Sequence, residues 1–507
     1  MRRFLRPAPV IAFGLSVVLL AGCSKTRLKQ QTPSIPKIAE SEQWSTKLAG
    51  GTVAKPADDQ LLAHWWSTFN DPTLTSLEER AVKANLDVRI AQAKIREARA
   101  ARNIVKSDRL PAVTASGSSS VSRSSEKSGS GRTSDLYSAG FDASWEPDIF
   151  GKTYYNIQAA EATLQAREED LRDTLVTLTA EVAVNYVDVR SYQQRIAVAT
   201  ANRDSQKETY DLAVMRYDAG LVTQLVVEQA KASLENTRAQ IPTLEAGLKQ
   251  AKNRLAVLLG EKPGALSQEL EATKPVPVTT KEIAVGVRAD LLRRRPDIRS
   301  MERQISSQAA QVGVVRTELY PSFSLSGSLG LDALSLKDLF SPSAIAASIA
   351  GSVKHTIFDR RQIRENVNQQ NAVLDQLIGQ YESTVLTAVE DVENALDSFA
   401  REQVRRESLQ QAVVAARKAE ELSRNLYDTG STDFLDVLDA QRTLLTYQDS
   451  LAQSDANVTT YLIQLYKAMG GGWDSVAAAP PASGATPVSG ENRKPEASAQ
   501  KASIPGA

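Results

Sequence analysis

The chain carries two hydrophobic patterns, one of helical period in long stretches and one of period two in short stretches. Residues 152–219 contain neither glycine nor proline, and the same is true of residues 380–429. A helix over the first of these stretches would be about 100 Å long, at about 1.5 Å per residue. Helices of that length are typical of coiled coils rather than of globular cores.

A glycine turn and a second helical stretch follow each of these long stretches. Apolar or small residues recur in the second stretch at alternating spacings of three and four, which is the seam of a coiled coil. The seams are Leu234, Thr237, Ile241, Leu244, Leu248, Ala251, Leu255 and Leu258, and Leu444, Tyr447, Leu451, Ser454, Val458, Tyr461, Leu465 and Ala468. Because Gly220 and Gly430 interrupt the helices, each pair is predicted to form an antiparallel coiled-coil hairpin.

Four short segments alternate apolar and polar residues, at about 112–123, 136–147, 322–332 and 347–357. A segment of about ten residues with one apolar and one polar side is what a membrane-spanning strand needs. Four strands do not close a membrane barrel, which has at least about eight, and an open sheet edge has no hydrogen-bond partner in lipid. The pattern leaves two alternatives: several copies share one barrel, or the strands form a soluble sheet.

The two sets of elements belong to a tandem repeat. Segments 86–118 and 296–328 share nine identities in 33 positions at an offset of 210, and Ile149-Phe150 aligns with Ile357-Phe358 at an offset of 208. We therefore expect repeat 1 at 65–262, a proline-containing linker at 263–287 and repeat 2 at 288–473. Each repeat is predicted to contain a helix, two strands and a long helical hairpin. The Ala-, Pro- and Ser-rich tail at 474–507 is predicted to be disordered.

Composition narrows the possible functions. Sixty basic residues balance 60 acidic ones, and nucleic-acid binding usually needs a basic excess. One cysteine and two histidines give no basis for an internal disulfide, a metal centre or a cofactor. The acidic run at 168–170 is interpreted as a solvated helix face. No nucleophile–base pair or phosphate-binding loop is evident, so we predict that the protein is not an enzyme.

The N-terminus has the pattern of a secretory signal. Residues 1–22 combine arginines, a short apolar run and small residues. The run ends in Leu20-Ala21-Gly22-Cys23, which resembles the lipobox of bacterial lipoproteins and predicts lipid attachment at Cys23. The alternative is an ordinary secretory signal with an unrelated cysteine. With the lipobox, residues 23–64 become a lipidated N-terminal segment, and Ser24 is compatible with the outer membrane.

Taken together, these features resemble the TolC-like outer membrane efflux proteins, and more closely the lipidated OprM/NodT type. The resemblance is carried by the lipobox, the opening from Trp65 to Pro72, the tandem repeat and the Tyr-x-x-Gly turns. It implies a mainly α fold with membrane β-strands, four per chain. A homotrimer would form a twelve-stranded β-barrel in the outer membrane of a Gram-negative bacterium, with a helical barrel of antiparallel coiled coils in the periplasm.

The resemblance also implies a function. The protein would be the passive exit duct of a tripartite efflux pump for drugs or other small molecules. Its partners would be a periplasmic adaptor (membrane fusion) protein and an inner-membrane transporter of the RND type. The alternatives are a coiled-coil lipoprotein strut and the duct of a protein-secretion system.

Residues at the hairpin turns match functional positions of the family. The resemblance implies a channel gate at Tyr427, Leu435, Asp436, Asp439 and Arg442 and adaptor-docking turns at Gly220, Leu221 and Gly430. Leu435 and Asp439 are four residues apart and so share one helix face. Two positions depart from the pattern of other members. Thr432 stands where an arginine is found, and Val226 stands at an acidic position.

Overall fold

The computed structural model describes residues 44, 52–53, 59–128, 130–278, 283–285 and 294–473. The signal segment, Cys23 and the tail at 474–507 lie outside the described residues. The helices are α1 (Asp59–Ala63), α2 (Pro72–Ala84), α3 (Leu86–Ser107), α4 (Lys152–Asp218), α5 (Gln224–Leu258), α6 (Pro296–Thr317), α7 (Arg360–Asp428) and α8 (Phe434–Ala468). The strands are β1 (Thr52–Val53), β2 (Ala112–Arg123), β3 (Thr133–Trp145), β4 (Ile283–Ala284), β5 (Ser322–Ala333) and β6 (Ile345–Lys354).

The order α3-β2-β3-α4-α5 recurs as α6-β5-β6-α7-α8. The long helices α4 and α7 have 67 and 69 residues, and each folds back against the next helix. At about 1.5 Å per residue, each spans roughly 100 Å. Helix α4 also contacts α3, α6 and α8 and therefore joins the two repeats. The predicted protomer fold, with four strands and long antiparallel helices, is confirmed.

Side chains at the entry to the first repeat explain where its helices begin. The Asp71 carboxylate accepts hydrogen bonds from the backbone N–H groups of Thr73 and Leu74 at 2.8 and 3.2 Å. Asn85 repeats this arrangement one helix later, accepting from the N–H of Asp87 at 2.8 Å. These bonds satisfy donors that have no partner inside the helix. They fix the start of α2 and the break between α2 and α3.

The four longer strands form one antiparallel sheet in the order β2-β3-β5-β6. Its register puts the large apolar side chains on one face, because directly opposed residues share a face; the exception is Leu136, which lies opposite Ser120 on the other face. The apolar row runs from Val113 opposite Ala143 to Gly327 opposite Ile349. The other face is lined with serines, and Ser324 and Ser352 lie 2.7 Å apart, oxygen to oxygen. The sheet is therefore apolar on one side and polar on the other, and among the described residues β2 and β6 are its unpaired edges.

The largest core lies where the helices cross near the middle of the molecule. Trp65 is fully buried and stacks on Tyr466 with ring centroids 5.3 Å apart. Four residues of the predicted linker are buried in the same core: Leu266, Leu270, Val276 and Val285. The link between the repeats is therefore part of the packed structure, and β1 and β4 pair in parallel beside it.

Burial raises the pKa of several ionisable side chains in and around this core, among them Glu78 and Tyr186. Glu78 is fully buried, and neither of its carboxylate oxygens has a hydrogen-bond partner among the described residues. Burial raises the pKa of Glu78 well above its usual range, because the charged form loses its solvation. Burial, together with a hydrogen bond donated to Asp71 at 2.5 Å, raises the pKa of Tyr186 to about 12.

The acidic run at 168–170 is not a solvated face, and that interpretation is wrong. Glu169 is buried, accepts a hydrogen bond from Arg172 at 2.6 Å and forms an ion pair with Arg299 at 2.8 Å. Both guanidinium groups also lie over the ring of Trp473, at 4.9 and 5.6 Å from its centroid. Successive helix positions point about 100° apart, so three adjacent acidic residues cannot all face solvent in a packed helix.

In the described part of the chain, no helix is both long enough and apolar enough to cross a membrane.

Candidate functional site

The two helical hairpins turn at glycines in the left-handed backbone region. Gly220 has φ +74° and Gly430 has φ +71°, and a side chain there would be strained even though the surrounding space is open. The N–H of Leu221 donates to the carbonyl of Arg216 at 2.8 Å, and the N–H of Ser431 donates to that of Leu426 at 2.8 Å. These are Schellman caps, which end α4 and α7 and start the return helices.

The predicted docking turns lie exposed at the end of the hairpins. The Leu221 side chain is 73% exposed, and Leu225, one turn further on, is exposed as well. The corresponding turn at Gly430 carries serine and threonine instead of large apolar residues. The residue after the turn glycine is therefore apolar in the first hairpin and polar in the second, whereas Leu225 and its counterpart Leu435 are exposed leucines in both.

The predicted gate residues on α8 form an exposed row. Leu435 is 50% exposed, and Asp439 lies one turn further along on the same face. The Arg442 guanidinium approaches the Asp439 carboxylate at 3.7 Å. Asp436 points elsewhere on the helix and accepts a hydrogen bond from the Thr432 hydroxyl. Within one protomer, Leu435, Asp439 and Arg442 are thus brought together, and Asp436 is tied to the turn.

Tyr427 does not share this exposed row. It is buried beside Phe434 in an apolar cluster that also takes in Ala213 and Ala230 of the first hairpin. Its hydroxyl has no hydrogen-bond partner among the described residues. Val226, which stands at an acidic position of other members, packs against the same cluster. Apolar contact at the tips therefore joins the first hairpin to the second.

Arg216 is a further residue at the tips that the sequence did not indicate. Its guanidinium lies 4.4 Å from the centre of the Tyr427 ring and 3.1 Å from a carboxylate oxygen of Asp428. We call Arg216, Tyr427 and Asp428 the tip latch, because Arg216 is on the first hairpin and the other two are on the second.

Two more polar contacts accompany the tip latch. Arg424 pairs with Glu208 at 3.4 Å, and the Gln441 amide donates to the Thr209 hydroxyl at 2.9 Å. All these contacts join residues more than 200 positions apart. No local sequence pattern could have indicated them.

Helical hairpins built on helices about 100 Å long, joined to an open sheet with one apolar face, fit one protomer of an oligomeric membrane channel. The model of the outer membrane efflux protein family matches residues 77–261 and 287–471, one match per repeat. The chain belongs to this family.

Relatives and solved structures agree with this assignment. Nodulation protein T of Rhizobium leguminosarum bv. trifolii is 34% identical over 438 residues, covering 85% of this chain and 92% of the relative. The pyoverdine export outer membrane protein OpmQ of Pseudomonas aeruginosa is 32% identical over 467 residues, covering 90% and 96%. The structure of the outer-membrane channel OprN has a TM-score of 0.79 at 35% identity, covering 87% of this chain and 99% of that one.

These findings decide between the predicted functions. The protein is an outer-membrane efflux channel of a family that forms trimeric channels in efflux pumps. It is a channel protein and not an enzyme. The family assignment therefore favours the duct over the coiled-coil strut.

Proposed function

We propose that this protein is the passive exit duct of a tripartite pump, and that it is gated at the tips of its second helical hairpin. The observation that carries the proposal is the exposed row of Leu435, Asp439 and Arg442 on one face of α8. Residues on such a face meet around the axis of a threefold assembly. Three copies of Leu435 then form an apolar ring, and three copies of Asp439 form a carboxylate ring one turn away.

The charges of Asp439 and Arg442 suit a ring of residues that closes and opens the duct. Three carboxylates close to one axis repel one another, and Arg442 beside Asp439 offsets that repulsion. In the closed state the rings narrow the duct, and outward movement of the hairpins widens it. Asp436, held by Thr432, lies beside this row and keeps the turn in place.

The tip latch supplies the resistance to opening. The second hairpin moves away from the first only if Tyr427 leaves its apolar cluster and Arg216 releases Asp428. Energy for that movement comes from partners, because the duct itself carries out no chemistry. A periplasmic adaptor docking on the turns at Gly220-Leu221 and Gly430 pulls at the place where the latch is located. The inner-membrane transporter, of the RND type, delivers drugs or other small molecules to the periplasmic end of the duct.

Lipid attachment at Cys23 fits the same arrangement. The segment 23–64 leads from the lipobox to Trp65, which is buried in the central core. A lipid on Cys23 anchors the core beneath the outer membrane, in addition to the strands. Replacement of Cys23 by serine is expected to abolish incorporation of labelled palmitate and to leave trimer formation intact.

The gate is tested by the conductance of single channels in planar bilayers. Asp439→Ala removes three carboxylates from the ring and leaves three unpaired Arg442 guanidinium groups, which repel one another around the axis and disfavour the closed ring. We expect a larger single-channel conductance or a higher open probability than in wild type. Asp211→Ala is the matched control, because Asp211 is an exposed carboxylate near the tip of α4 whose ion pair among the described residues is with Lys207, at 2.7 Å on its own helix.

Unchanged conductance of Asp439→Ala in an intact trimer contradicts the gate. An equal increase in Asp211→Ala also contradicts it, since the effect would then come from the general loss of negative charge at the tips.

A further inference from the structure

Three arginines stand at the start of the long helix α7, a few residues beyond the last strand of the sheet. Arg360, Arg361 and Arg364 are all exposed, and we call them the arginine cluster. In the part of the chain that the structure describes, none of them forms an ion pair, although Asp359 and Glu365 flank them in sequence. Like charges so close together repel one another, so a negatively charged partner from outside the protomer would stabilise this end of α7.

The equivalent positions of the first repeat have a different character. At the offset of 208, the counterparts of the three arginines are Lys152, Thr153 and Asn156. The Lys152 ammonium lies 3.9 Å from a carboxylate oxygen of Glu146, so the one cation of this set has a partner within the protomer. Both long helices begin in the same way after a strand, and helix packing alone therefore does not require the arginines of the second repeat.

The position of the arginine cluster at a helix start adds to its cost. The amino-terminal end of a helix carries a partial positive charge, which disfavours cations in the first turn. Helix α4 balances its own start with Asp148, whose carboxylate accepts from the backbone N–H groups of Thr153 and Tyr154 at 3.0 and 2.9 Å. The counterpart of Asp148 is the neutral Thr356, and the side chain of Asp359 makes no capping hydrogen bond to α7.

Large apolar side chains lie between the sheet and the arginine cluster. Val353 ends the apolar face of β6, and Ile357 and Phe358 follow it with exposed fractions of 73% and 88%. In the first repeat, the counterpart Phe150 is covered by Tyr320, with ring centroids 4.9 Å apart. The second repeat therefore exposes an apolar and aromatic segment directly beside its unpaired cations.

This order of side chains matches the layers at the boundary of a membrane. The apolar face of the sheet suits the hydrocarbon core, and the headgroup layer beside that core is about 5–7 Å thick. Five residues separate Lys354, at the end of β6, from Arg360, and Arg364 lies about 6 Å further along α7. Long guanidinium side chains at this depth reach the phosphate groups of the leaflet on the helical, periplasmic side.

We propose that the arginine cluster, with Ile357 and Phe358, binds an anionic phospholipid of the periplasmic leaflet, of the phosphatidylglycerol class. The guanidinium groups pair with the lipid phosphate, and the Phe358 ring contacts the glycerol and the upper acyl chain. Clusters of basic residues beside a membrane-spanning segment attract anionic lipids in this way. The proposal uses the outer-membrane location of the channel and does not depend on the gate at the hairpin tips.

A second copy of the chain does not supply the missing negative charge. Among the described strands, β2 forms the other free edge of the sheet, so a neighbouring copy would bring the segment before β2 towards the arginine cluster. That segment, 99–109, contains four basic residues and one acidic residue. Two of the four already pair with Glu161, at 3.3 and 3.6 Å. A neighbouring copy therefore adds no excess of negative charge, which leaves the lipid as the better partner.

Native mass spectrometry of the full-length protein in detergent tests the proposal. The protein is titrated with phosphatidylglycerol or phosphatidylethanolamine of the same acyl chains, which share the phosphate and differ in net charge. We expect wild type to retain phosphatidylglycerol in preference, at one molecule per protomer. In the triple variant Arg360→Gln/Arg361→Gln/Arg364→Gln, the affinity for phosphatidylglycerol should fall by about tenfold or more, since each basic residue near an anionic lipid surface contributes about a factor of five.

A matched triple variant removes three exposed arginines elsewhere. Arg238→Gln/Arg401→Gln/Arg417→Gln changes one residue of α5 and two residues of α7 that lie at least about 60 Å from its start, and it should keep the affinity of wild type. Replacement of the arginine cluster by three lysines keeps the charge and should keep most of the preference. An equal loss in both glutamine variants, or equal retention of the two lipids by wild type, overturns the proposal.

Wild type alone provides a second measurement, which does not depend on the folding of any variant. Raising the ammonium acetate concentration from about 0.1 to about 1 M shortens the screening length from about 10 to about 3 Å and should remove most of the preference. Inorganic phosphate at the concentration of the lipid should not displace phosphatidylglycerol. A preference that is insensitive to salt, or complete displacement by phosphate, contradicts the lipid site.

A neighbouring copy as the true partner of the arginine cluster would give a different result. The glutamine variant would then dissociate into single chains at a lower temperature than wild type, yet bind phosphatidylglycerol as tightly. That outcome overturns the lipid assignment.

The aromatic contact has its own test. Phe358→Ala should weaken the retention of both lipids, because its ring contacts parts that the two lipids share. Phe340→Ala removes a similarly exposed ring from the loop between β5 and β6, at the opposite end of the sheet, and should leave lipid retention unchanged. Equal behaviour of the two variants contradicts the assignment of Phe358 to the lipid site.

Discussion

Removing the cation of the tip latch should open the channel. In the variant Arg216→Gln, the ion pair with Asp428 at 3.1 Å and the cation–π contact with Tyr427 at 4.4 Å are lost together. An exposed ion pair contributes about 0.2–1 kcal/mol, and a cation–π contact contributes about 0.5–1 kcal/mol at a partly exposed site. Each protomer therefore loses roughly 1–2 kcal/mol of closed-state stability.

The threefold assembly multiplies this loss. If the three hairpins open together, the difference reaches about 3–6 kcal/mol, and every 1.4 kcal/mol or so corresponds to a tenfold change in an equilibrium constant. The open population should rise by roughly 100-fold or more. Planar-bilayer recordings measure this directly as the fraction of time that single channels conduct.

Two further variants make the test specific. Arg238→Gln removes an exposed arginine whose ion pair, in the part of the chain that the structure describes, is with Glu235 of the same helix α5 at 2.6 Å. This variant should behave like wild type. The swap of Arg216→Asp with Asp428→Arg restores the ion pair in reverse and should recover part of the closure. An Arg216→Gln trimer with the open probability of wild type would refute the latch.

Three stability predictions concern the core and the turns. Glu78→Gln should raise the thermal stability at pH 7.5, because burial raises the pKa of Glu78 in the folded state. Keeping the Glu78 carboxyl protonated costs no stability below its pKa in the unfolded chain. The cost grows as the pH rises towards its pKa in the folded protein. The gain should therefore vanish near pH 4, and Glu79→Gln, at an exposed neighbour, should show no gain at either pH. Tyr186→Phe removes the hydroxyl that donates to Asp71 and should lower the free energy of unfolding by about 1.5–3 kcal/mol. Circular dichroism melts should show a lower midpoint temperature. An unchanged midpoint would show that this hydrogen bond contributes nothing to stability. Gly430→Ala should destabilise the turn by about 1 kcal/mol because of its positive φ, and hydrogen exchange at the turn should accelerate; exchange as slow as in wild type would contradict the strain.

Periodicity and repetition were enough to predict the protomer fold. Glycine-free stretches predicted the long helices, and alternation predicted strands whose observed register separates apolar from serine faces. Both signals are local, because helix and strand periods follow from backbone geometry. The sequence left open whether the strands form a soluble sheet or a shared barrel, since that depends on what surrounds the apolar face.

The remaining features depend on contacts between distant parts of the chain. Arg216 and Asp428 are 212 positions apart, and no period connects them. Prolines in the linker indicated irregular backbone and gave no sign that Leu266 and Leu270 are buried. The acidic neighbours of Glu169 predict a solvent-exposed helix face, but its side chain is buried and pairs with Arg299.

The most direct test of the whole account is native mass spectrometry of the full-length protein extracted from outer membranes. The account requires three copies in one particle, because a single chain leaves β2 and β6 unpaired and Leu435 and Asp439 without symmetry mates. A mass of three mature chains is the expected result. A mass of one chain would contradict both the shared sheet and the gate.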